Sequence, residues 1–267
     1  MSFKNLGLSD ELLNTIQKEG YSEATPVQER AIPLIIKGMD ILAGAQTGTG
    51  KTAAFALPIL NRLQQYKSKK RRIRALILTP TRELAAQVNN SFRTYGIALP
   101  FKTIEIFGGV SMRPQKSKLK KGVDIVVATP GRLLDHLSQN TIDLSGVEVL
   151  VLDEADRMLD MGFKKDIEKV IKQLPEKKQN LLFSATFPKE IQKLASRLLN
   201  SPKKIQVASE NSTAEKVKQT VYPVDQSRKR ELLIHSIKEN NWFQVLVFIK
   251  TKRAADKLTR QLNKQRI

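Results

Sequence analysis

Short apolar runs alternate with longer amphipathic segments over about the first 200 residues of the chain. Runs such as LILT, IVVA and VLVL are apolar at nearly every position, which predicts strands buried on both faces, as in parallel sheets covered by helices. The intervening segments, for example 81–95 and 164–173, have helical periodicity. This alternation predicts a doubly wound α/β domain, whose ligands bind at the carboxyl ends of its strands. The predicted strands are 40–43, 75–79, 103–107, 124–128, 148–152, 180–183 and 204–207.

The alternation stops at a polar stretch, SENSTAEK, which occupies residues 209–216 and has no apolar periodicity. Such a stretch is typical of an interdomain linker, so we predict a first domain over residues 1–208. A second alternation follows, and we expect residues 217–267 to be the opening part of a second domain, inside which the chain ends. Its predicted elements are a strand over 217–224, a helix over 228–239, a strand over 245–249 and a helix over 254–264.

The chain of 267 residues is strongly basic, with 46 Lys and Arg against 26 Asp and Glu. Nucleic acid is the first candidate partner, because clustered cations gain free energy from the release of phosphate counterions. An anionic membrane surface and a basic protein without a polyanionic partner are the alternatives. Cys is absent, which excludes disulfides and thiolate chemistry. With neither a signal peptide nor a membrane span, we expect a soluble cytoplasmic protein. His136 and His235 are isolated, so we expect no metal site from them.

The segment AQTGTGKT, residues 45–52, follows a predicted strand and precedes a predicted helix. This is the context of a phosphate-binding loop, whose backbone N–H groups and helix N-terminus surround phosphate oxygens. Lys51 would reach the β- and γ-phosphates, and Thr52 would bind Mg²⁺. The loop starts with Ala45 where the usual pattern has Gly, and a purely structural turn is the alternative. The candidate nucleotide-binding residues of the loop are Thr47, Gly48, Thr49, Gly50, Lys51 and Thr52.

A second signature, VLVLDEAD, occupies residues 149–156 and ends a predicted strand with acidic residues. Asp153 is placed to hold Mg²⁺ opposite the phosphate loop, and Glu154 to orient and deprotonate a water molecule that attacks the phosphate. An acidic surface turn is the alternative. With Lys51, these two carboxylates are the candidate catalytic residues.

The motifs AQTGTGKT, PTREL, TPGR, DEAD and SAT, in this order, resemble those of the DEAD-box RNA helicases, and the resemblance covers essentially the whole chain. The opening stretch most resembles the bacterial RhlE-type branch. The resemblance implies a RecA-like first domain, the start of a second RecA-like domain, ATP and Mg²⁺ as cofactors, and ATP-driven separation of RNA duplexes. For the chain as given, the alternative is a nucleotide-binding, RNA-contacting module with little turnover. A phosphate-loop kinase, a transport ATPase and a DNA helicase are rival classes.

The resemblance also implies roles for individual residues. The segment 20–28 resembles the Q motif, in which Gln28 would read the adenine edge and Tyr21 would pack on the base, with Phe3 in support. The family often has Pro where this chain has Ala24. The segment 245–252 matches the first motif of the second domain.

The remaining motifs resemble loops that contact the RNA backbone, so binding should depend little on sequence. The motif SAT, through Ser184 and Thr186, would couple the nucleotide site to the RNA site by hydrogen bonds. Ribonucleoprotein or RNA-decay proteins are possible further partners in this family. The RNA-contacting candidates are Pro80, Thr81, Arg82, Gly108, Gly109, Thr129, Gly131 and Arg132.

Overall fold

The computed structural model of the chain describes residues 2–46, 48–65, 71–206, 218, 220–265 and 267. The chain divides into two compact units, residues 1–212 and 213–267. The predicted linker, 209–216, lies outside the described residues.

The described part of the first unit is built on a seven-stranded sheet in which every neighbouring pair is parallel. The strand order is β3-β4-β2-β5-β6-β1-β7, so the chain crosses over between most successive strands. All seven predicted strands are present, with ends shifted by about one residue. The strands are β1 Ile41–Gly44, β2 Ala75–Leu78, β3 Thr103–Ile106, β4 Ile125–Ala128, β5 Val149–Leu152, β6 Gln179–Ser184 and β7 Lys203–Gln206.

Helices cover both faces of the sheet, and each face has its own apolar core. Strand β5 shows why a continuous apolar run is needed: Val149 and Val151 pack into one core, whereas Leu150 and Leu152 pack into the other. Residues of α1 to α4 complete the first core, and residues of α6 to α9 complete the second. The predicted doubly wound α/β fold is therefore confirmed. The helices are α1 Asp10–Lys18, α2 Pro26–Ile36, α3 Lys51–Gln65, α4 Arg82–Tyr95, α5 Arg113–Lys120, α6 Pro130–Ser138, α7 Ala155–Asp160, α8 Lys164–Ile171 and α9 Lys189–Leu198.

An ion pair between a buried arginine and a partly exposed glutamate lies at the amino ends of the strands, on the edge of the sheet opposite the polar motifs. The guanidinium of Arg74, immediately before β2, donates through Nε and Nη2 to the two carboxylate oxygens of Glu148, at 2.8 and 2.9 Å. Its Nη1 donates to the Leu63 carbonyl oxygen at 2.8 Å. Although burial alone raises it, the pKa of Glu148 is lowered overall by Arg74 and, to a smaller extent, by Arg72. Arg74 therefore joins the edges of β2 and β5 to helix α3.

Replacing Arg74 by Ala should lower the free energy of unfolding by about 2–3 kcal/mol, because Glu148 and the Leu63 carbonyl lose a buried partner. Arg72→Ala is the matched control. Arg72 is exposed and lies 3.4 Å from the same carboxylate, so its loss should cost under about 1 kcal/mol. Urea unfolding followed by circular dichroism measures the free energy of unfolding of both variants.

The pH dependence of the free energy of unfolding provides a second check on the Arg74–Glu148 ion pair. The pKa of Glu148 is lower in the folded state, so its contribution is fully present above the ordinary value of 4.5 and is lost as the pH falls through the lower folded-state pKa. The difference between the parent and Arg74→Ala should shrink in that acidic range. Equal losses from Arg72→Ala and Arg74→Ala at neutral pH would contradict the assignment.

The described part of the second unit contains two helices, α10 Lys229–Glu239 and α11 Lys252–Lys264, as predicted. The two predicted strands were wrong for the residues described: 218, 220–224 and 245–249 form no strand. A strand is stabilised by the ladder of a neighbouring strand, and the described part of this unit offers none. The apolar side chains of 245–249 are consequently exposed, Phe248 to 90% and Leu246 to 80%.

No described helix combines the length and the apolar composition that a membrane span requires.

Candidate functional site

The polar motifs of the first unit meet at the carboxyl ends of the strands. The phosphate loop follows β1, Asp153 follows β5 and Ser184 ends β6, and these three strands are neighbours in the sheet. Pro80 follows β2 closely, and Thr129 follows β4 directly. Together with β3, those strands form the adjacent half of the same edge. The fold thus brings the nucleotide candidates together on one half of the edge and the RNA candidates on the other.

The phosphate loop has a left-handed backbone at two glycines, with φ of +84° at Gly48 and +87° at Gly50. Glycine adopts this conformation without the steric cost that a side chain adds, and such turns direct successive N–H groups into an anion-binding concavity. Lys51 and Thr52 open helix α3, so the helix N-terminus faces the same space. Thr47 lies outside the described residues.

Gln28 is buried and holds the phosphate loop, a role that the sequence interpretation missed. Its Nε2 donates to the Gly50 carbonyl oxygen at 3.1 Å, and its Oε1 accepts from the Thr25 backbone N–H at 2.9 Å. The Thr25 hydroxyl donates to the Thr49 carbonyl oxygen at 2.8 Å. A side chain at Gly50 would collide with Gln28, because a Cβ there would lie 2.4 Å from Nε2. The start of α2 therefore fixes the end of the phosphate loop.

The bonds just described leave the Gln28 amide able to hydrogen-bond to a nucleotide base as well. A primary amide has two N–H donors and two acceptor lone pairs, and one of each remains beyond the bonds just described. Tyr21 is 47% exposed and lies edge-to-face against Tyr95, with ring centroids 6.4 Å apart. Phe3 is buried in the core beneath this region. Gln28 thus retains unused hydrogen-bonding capacity although it is buried, and Tyr21 retains an exposed aromatic ring.

The two roles of Gln28 can be separated by substitution. Gln28→Ala should weaken ATP binding about tenfold or more and GTP binding less, because it removes both the loop anchor and the amide that matches adenine N6 and N7. Thr25→Val should weaken ATP and GTP alike, because it removes the hydroxyl's bonds to the Thr49 carbonyl and to the Gln28 backbone N–H in the capping box of α2, but leaves the Gln28 amide in place. Titration with both nucleotides measures this. An unchanged preference for ATP over GTP in Gln28→Ala would rule out the base-reading role.

Two buried charged groups at the phosphate loop have no hydrogen-bond partner in the part of the chain that the structure describes. The Nζ of Lys51 and the Oδ1 of Asp153 are both buried, and neither has a hydrogen-bond partner among the described residues. Burial raises the pKa of Asp153 to about 6, and the nearby charge of Lys51 opposes that rise. Buried polar groups are nearly always hydrogen-bonded, so this pair is typical of a site completed by a ligand.

The donor set fits a triphosphate with a magnesium ion. Mg²⁺ is usually held by one or two carboxylates together with phosphate oxygens and water, rather than by a cage of protein ligands. Asp153 provides such a carboxylate, and Thr52 lies in the first turn of α3 beside Lys51. Among the described residues, no three His, Cys, Asp or Glu side chains are grouped so that they could hold a metal ion by themselves. The site therefore suits a metal ion that arrives with the nucleotide.

Glu154 has an unusual backbone conformation at the N-cap of α7. Its φ of 53° and ψ of 52° are left-handed, which costs on the order of 1 kcal/mol for a residue with a side chain. Its carboxylate accepts from Nη1 of Arg157 at 3.2 Å and is largely covered. Strain of this kind persists where the surroundings hold a residue in a particular orientation. Glu154 is thus fixed directly beside Asp153.

The end of the DEAD motif is bonded to SAT. The Oδ2 of Asp156 accepts from both the backbone N–H and the hydroxyl of Thr186, each at 2.9 Å. The hydroxyl of Ser184 accepts from the Asp156 N–H at 3.3 Å and donates to the Thr186 carbonyl oxygen at 2.8 Å. The predicted coupling residues Ser184 and Thr186 therefore contact the acidic motif directly. Asp156 was not among the predicted site residues.

The predicted RNA-contacting residues form one cluster around the turn that follows β3. A Cβ built on Gly109 would lie 3.9 Å from Nη1 of Arg82, and one built on Gly108 would lie 4.0 Å from Nη2 of Arg132. Arg132 donates through Nη1 to the Val110 carbonyl oxygen at 3.0 Å. Two cations from the first turns of different helices, α4 and α6, thus reach the same turn.

The flanking helices open towards this cluster. Thr81 caps α4, with its hydroxyl accepting from the Leu84 N–H at 3.2 Å, and Thr129 caps α6. Pro80 lies in the bend before α4, and Gly131 is the second residue of α6. A Cβ at Gly131 would meet no atom within 4 Å, so a backbone could approach closely there. Helix N-termini and arginines are typical binding groups for phosphates.

Comparisons with known proteins agree with this arrangement. Residues 25–194 match the family described as DEAD/DEAH box helicase, and this range contains the phosphate loop, the acidic motif and SAT. The chain belongs to this family. It is 42% identical over 257 residues to the DEAD-box ATP-dependent RNA helicase RhpA of Helicobacter pylori, a match that covers 96% of the chain. It is 41% identical over 261 residues to the ATP-dependent RNA helicase CshA of Listeria monocytogenes, covering 98% of the chain.

A solved structure supports the fold assignment. The crystal structure of a DEAD box protein from the hyperthermophile Methanococcus jannaschii aligns with a TM-score of 0.73 at 39% identity, covering 99% of this chain and 70% of that one. The fold is therefore the RecA-like fold implied by the sequence motifs. This chain spans about half the length of the two bacterial relatives, 51% and 50%. The RhlE-type branch stays a prediction.

Proposed function

We propose that this chain belongs to an RNA helicase that hydrolyses ATP to remodel or locally separate RNA duplexes. The observation that carries the proposal is the pair of buried groups Lys51 Nζ and Asp153 Oδ1 at the phosphate loop, which have no hydrogen-bond partner among the described residues. A phosphate oxygen beside Lys51 and a cation beside Asp153 would complete their bonding, and ATP with Mg²⁺ provides both.

Each residue of the site has a defined part in this proposal. Lys51 and the N–H groups of residues 48–52 bind the phosphates, and Gln28 with Tyr21 binds adenine. Asp153 and Thr52 would hold Mg²⁺, which supplies charge neutralisation on the phosphate oxygens. Glu154 orients the attacking water and accepts its proton. The bond between Asp156 and Thr186 transmits the state of the nucleotide site towards the RNA site.

The RNA side of the proposal relies on charge and backbone contacts. Arg82, Arg132 and the helix N-termini at Thr81 and Thr129 would bind phosphates and 2′-hydroxyls, so affinity should depend little on base sequence. A net charge of +20 favours such binding. Ribonucleoprotein or RNA-decay proteins as further partners, and a cytoplasmic location, are part of the same proposal.

The proposal includes the domain organisation. Residues 1–208 would be the ATP-binding RecA-like domain, 209–216 the linker and 217–267 the first part of a second RecA-like domain. The alternative, an RNA-contacting module with little turnover, is less favoured because both bacterial relatives are named ATP-dependent RNA helicases.

The test is ATP hydrolysis with and without nucleic acid. Single-stranded RNA should stimulate hydrolysis, and DNA of the same sequence should stimulate it much less, because 2′-hydroxyl contacts distinguish RNA from DNA. Arg132→Ala should keep ATP binding and lose most of the stimulation. Equal stimulation by RNA and DNA would instead indicate a DNA helicase. Hydrolysis that neither nucleic acid stimulates would indicate a phosphate-loop enzyme of another class.

A further inference from the structure

A fully buried histidine lies close to the proposed RNA site. His136, on α6, has no exposed surface, and both ring nitrogens have partners. Its Nε2 lies 2.9 Å from Oε1 of Gln115, and its Nδ1 lies 2.7 Å from the Thr141 hydroxyl, which is also 3.0 Å from the His136 carbonyl oxygen. Burial, followed by the charges of Arg132 and Lys116, lowers the pKa of His136, which favours the neutral ring.

The histidine is linked through Gln115 to the turn that follows β3. Gln115, on α5, is also buried, and its Nε2 donates to the Phe107 carbonyl oxygen at 3.0 Å. Its amide nitrogen is therefore directed at Phe107, and its oxygen faces the ring. This arrangement requires Nε2–H on His136, so Nδ1 of the neutral ring accepts from the Thr141 hydroxyl. The remaining hydrogen bonds run in one direction, from His136 to Gln115 and from Gln115 to Phe107.

The other end of the turn that follows β3 is held by Arg132, which lies on α6 as His136 does. Arg132 lies one helical turn before His136 on α6 and donates to the Val110 carbonyl oxygen at 3.0 Å. Between the two anchored carbonyls are Gly108 and Gly109, the latter with φ of +79°. Glycines restrict the backbone less than any other residue, so the anchors decide which conformation this turn adopts.

We infer that His136 and Gln115 are positioning residues that hold the turn 107–110 in the conformation that contacts RNA. The inference rests on the proposed RNA-binding function. Neither side chain reaches the surface to touch RNA itself, since His136 is fully covered and Gln115 is 7% exposed. A buried polar network whose members are all bonded specifies one backbone arrangement, and loss of one member frees its neighbours. Phosphate contacts depend on the placement of N–H groups and cations, so a looser turn binds RNA more weakly.

The substitution Gln115→Met should affect RNA binding and nucleotide binding differently. Gln115→Met keeps the approximate volume of the side chain and removes both amide bonds. We expect RNA affinity, measured by fluorescence anisotropy of a labelled single strand in the presence of Mg²⁺ and a non-hydrolysable ATP analogue, to fall about fivefold or more. Nucleotide affinity without RNA should stay within about twofold, because the phosphate loop lies at other strands of the sheet.

A second variant tests the direction of the bonds. Gln115→Glu keeps an acceptor for His136 but places a carboxylate oxygen against the Phe107 carbonyl oxygen, so it should also weaken RNA binding. Gln139→Glu is the charge-matched control. Gln139 is exposed just after α6, where it accepts from Lys116 Nζ at 2.7 Å and does not contact the turn 107–110. The substitution therefore adds the same negative charge beside α5 and leaves both anchors of the turn in place. If Gln139→Glu and Gln115→Glu weaken RNA binding equally, charge and not turn geometry explains the loss.

The remaining outcomes separate this inference from the proposed function. If the parent chain binds no RNA, the proposed function fails. If the parent binds RNA and Gln115→Met binds it equally well, the positioning role alone is overturned. Should a variant fail to fold, the nitrogen chemical shifts of the His136 ring in the parent protein show which ring nitrogen carries the proton, and this tests the direction of the hydrogen bonds. The Nε2–H tautomer at neutral pH is expected, and the Nδ1–H tautomer would overturn the inference.

Discussion

Replacing Glu154 by Gln should leave ATP bound while lowering the rate of hydrolysis about 10²–10⁴-fold, the range typical for loss of a general base. Glutamine keeps the size and one acceptor of the side chain, so water can still be bound, but the amide cannot accept its proton. The strained backbone of Glu154 and its bond to Arg157 hold the carboxylate in place, so little else should change. Nucleotide affinity by titration and turnover at saturating ATP and RNA measure the two effects separately.

A matched control for Glu154→Gln is Asp160→Asn, which removes one negative charge from the exposed end of the same helix, α7. It should leave hydrolysis unchanged within about twofold. If Glu154→Gln weakened ATP binding as much as it lowered turnover, Glu154 would be a binding residue and not the base.

Replacing Lys51 by Ala should reduce ATP affinity about 10- to 100-fold, because charge-assisted hydrogen bonds to phosphate contribute roughly 1.5–3 kcal/mol. The Nζ of Lys51 has no protein partner among the described residues, so its interactions should be made with the nucleotide. The substitution also removes the cation that lowers the pKa of Asp153, which leaves the raising effect of burial unopposed by that charge.

Lys37→Ala is the control for the loss of one positive charge. Lys37 is exposed at the C-cap of α2 and lies outside the phosphate loop. Titration with ATP and with AMP makes the test sharper, because AMP lacks the phosphates that Lys51 would reach. Lys51→Ala should lose most of the preference for ATP over AMP. An unchanged preference would mean that Lys51 does not bind the terminal phosphates.

The fold of the first unit was predictable because its signal is local. A strand covered on both faces must be apolar at consecutive positions, as in Val149–Leu152, and the short length of the run with its β-branched residues favours a strand over a buried helix. The predicted ends of the strands differ from the observed ends by about one residue. In the second unit the same reasoning failed at 245–249, because an apolar run becomes a strand only beside a partner strand.

Part of the candidate site was predictable from its motifs, and part depended on contacts between distant residues. Lys51, Asp153 and Glu154 follow from short signatures whose strand and helix context is readable in the sequence. The contact of Gln28 with Gly50, and that of Asp156 with Thr186, depend on how strands cross over. One local signal was available: the segment TPVQ has the capping-box spacing that predicts the bond from the Thr25 N–H to the Gln28 side chain.

In the proposed function, the nucleotide and RNA sites lie on one edge of the sheet and are coupled through Asp156 and Thr186. Coupling is reciprocal, so RNA must change ATP affinity by the same factor by which ATP changes RNA affinity. The direct measurement is the dissociation constant of a non-hydrolysable ATP analogue with and without saturating single-stranded RNA. We expect RNA to tighten nucleotide binding at least about fivefold, and Thr186→Val to reduce that factor while RNA-free nucleotide affinity is retained. Identical nucleotide affinity with and without bound RNA in the parent protein would contradict the account.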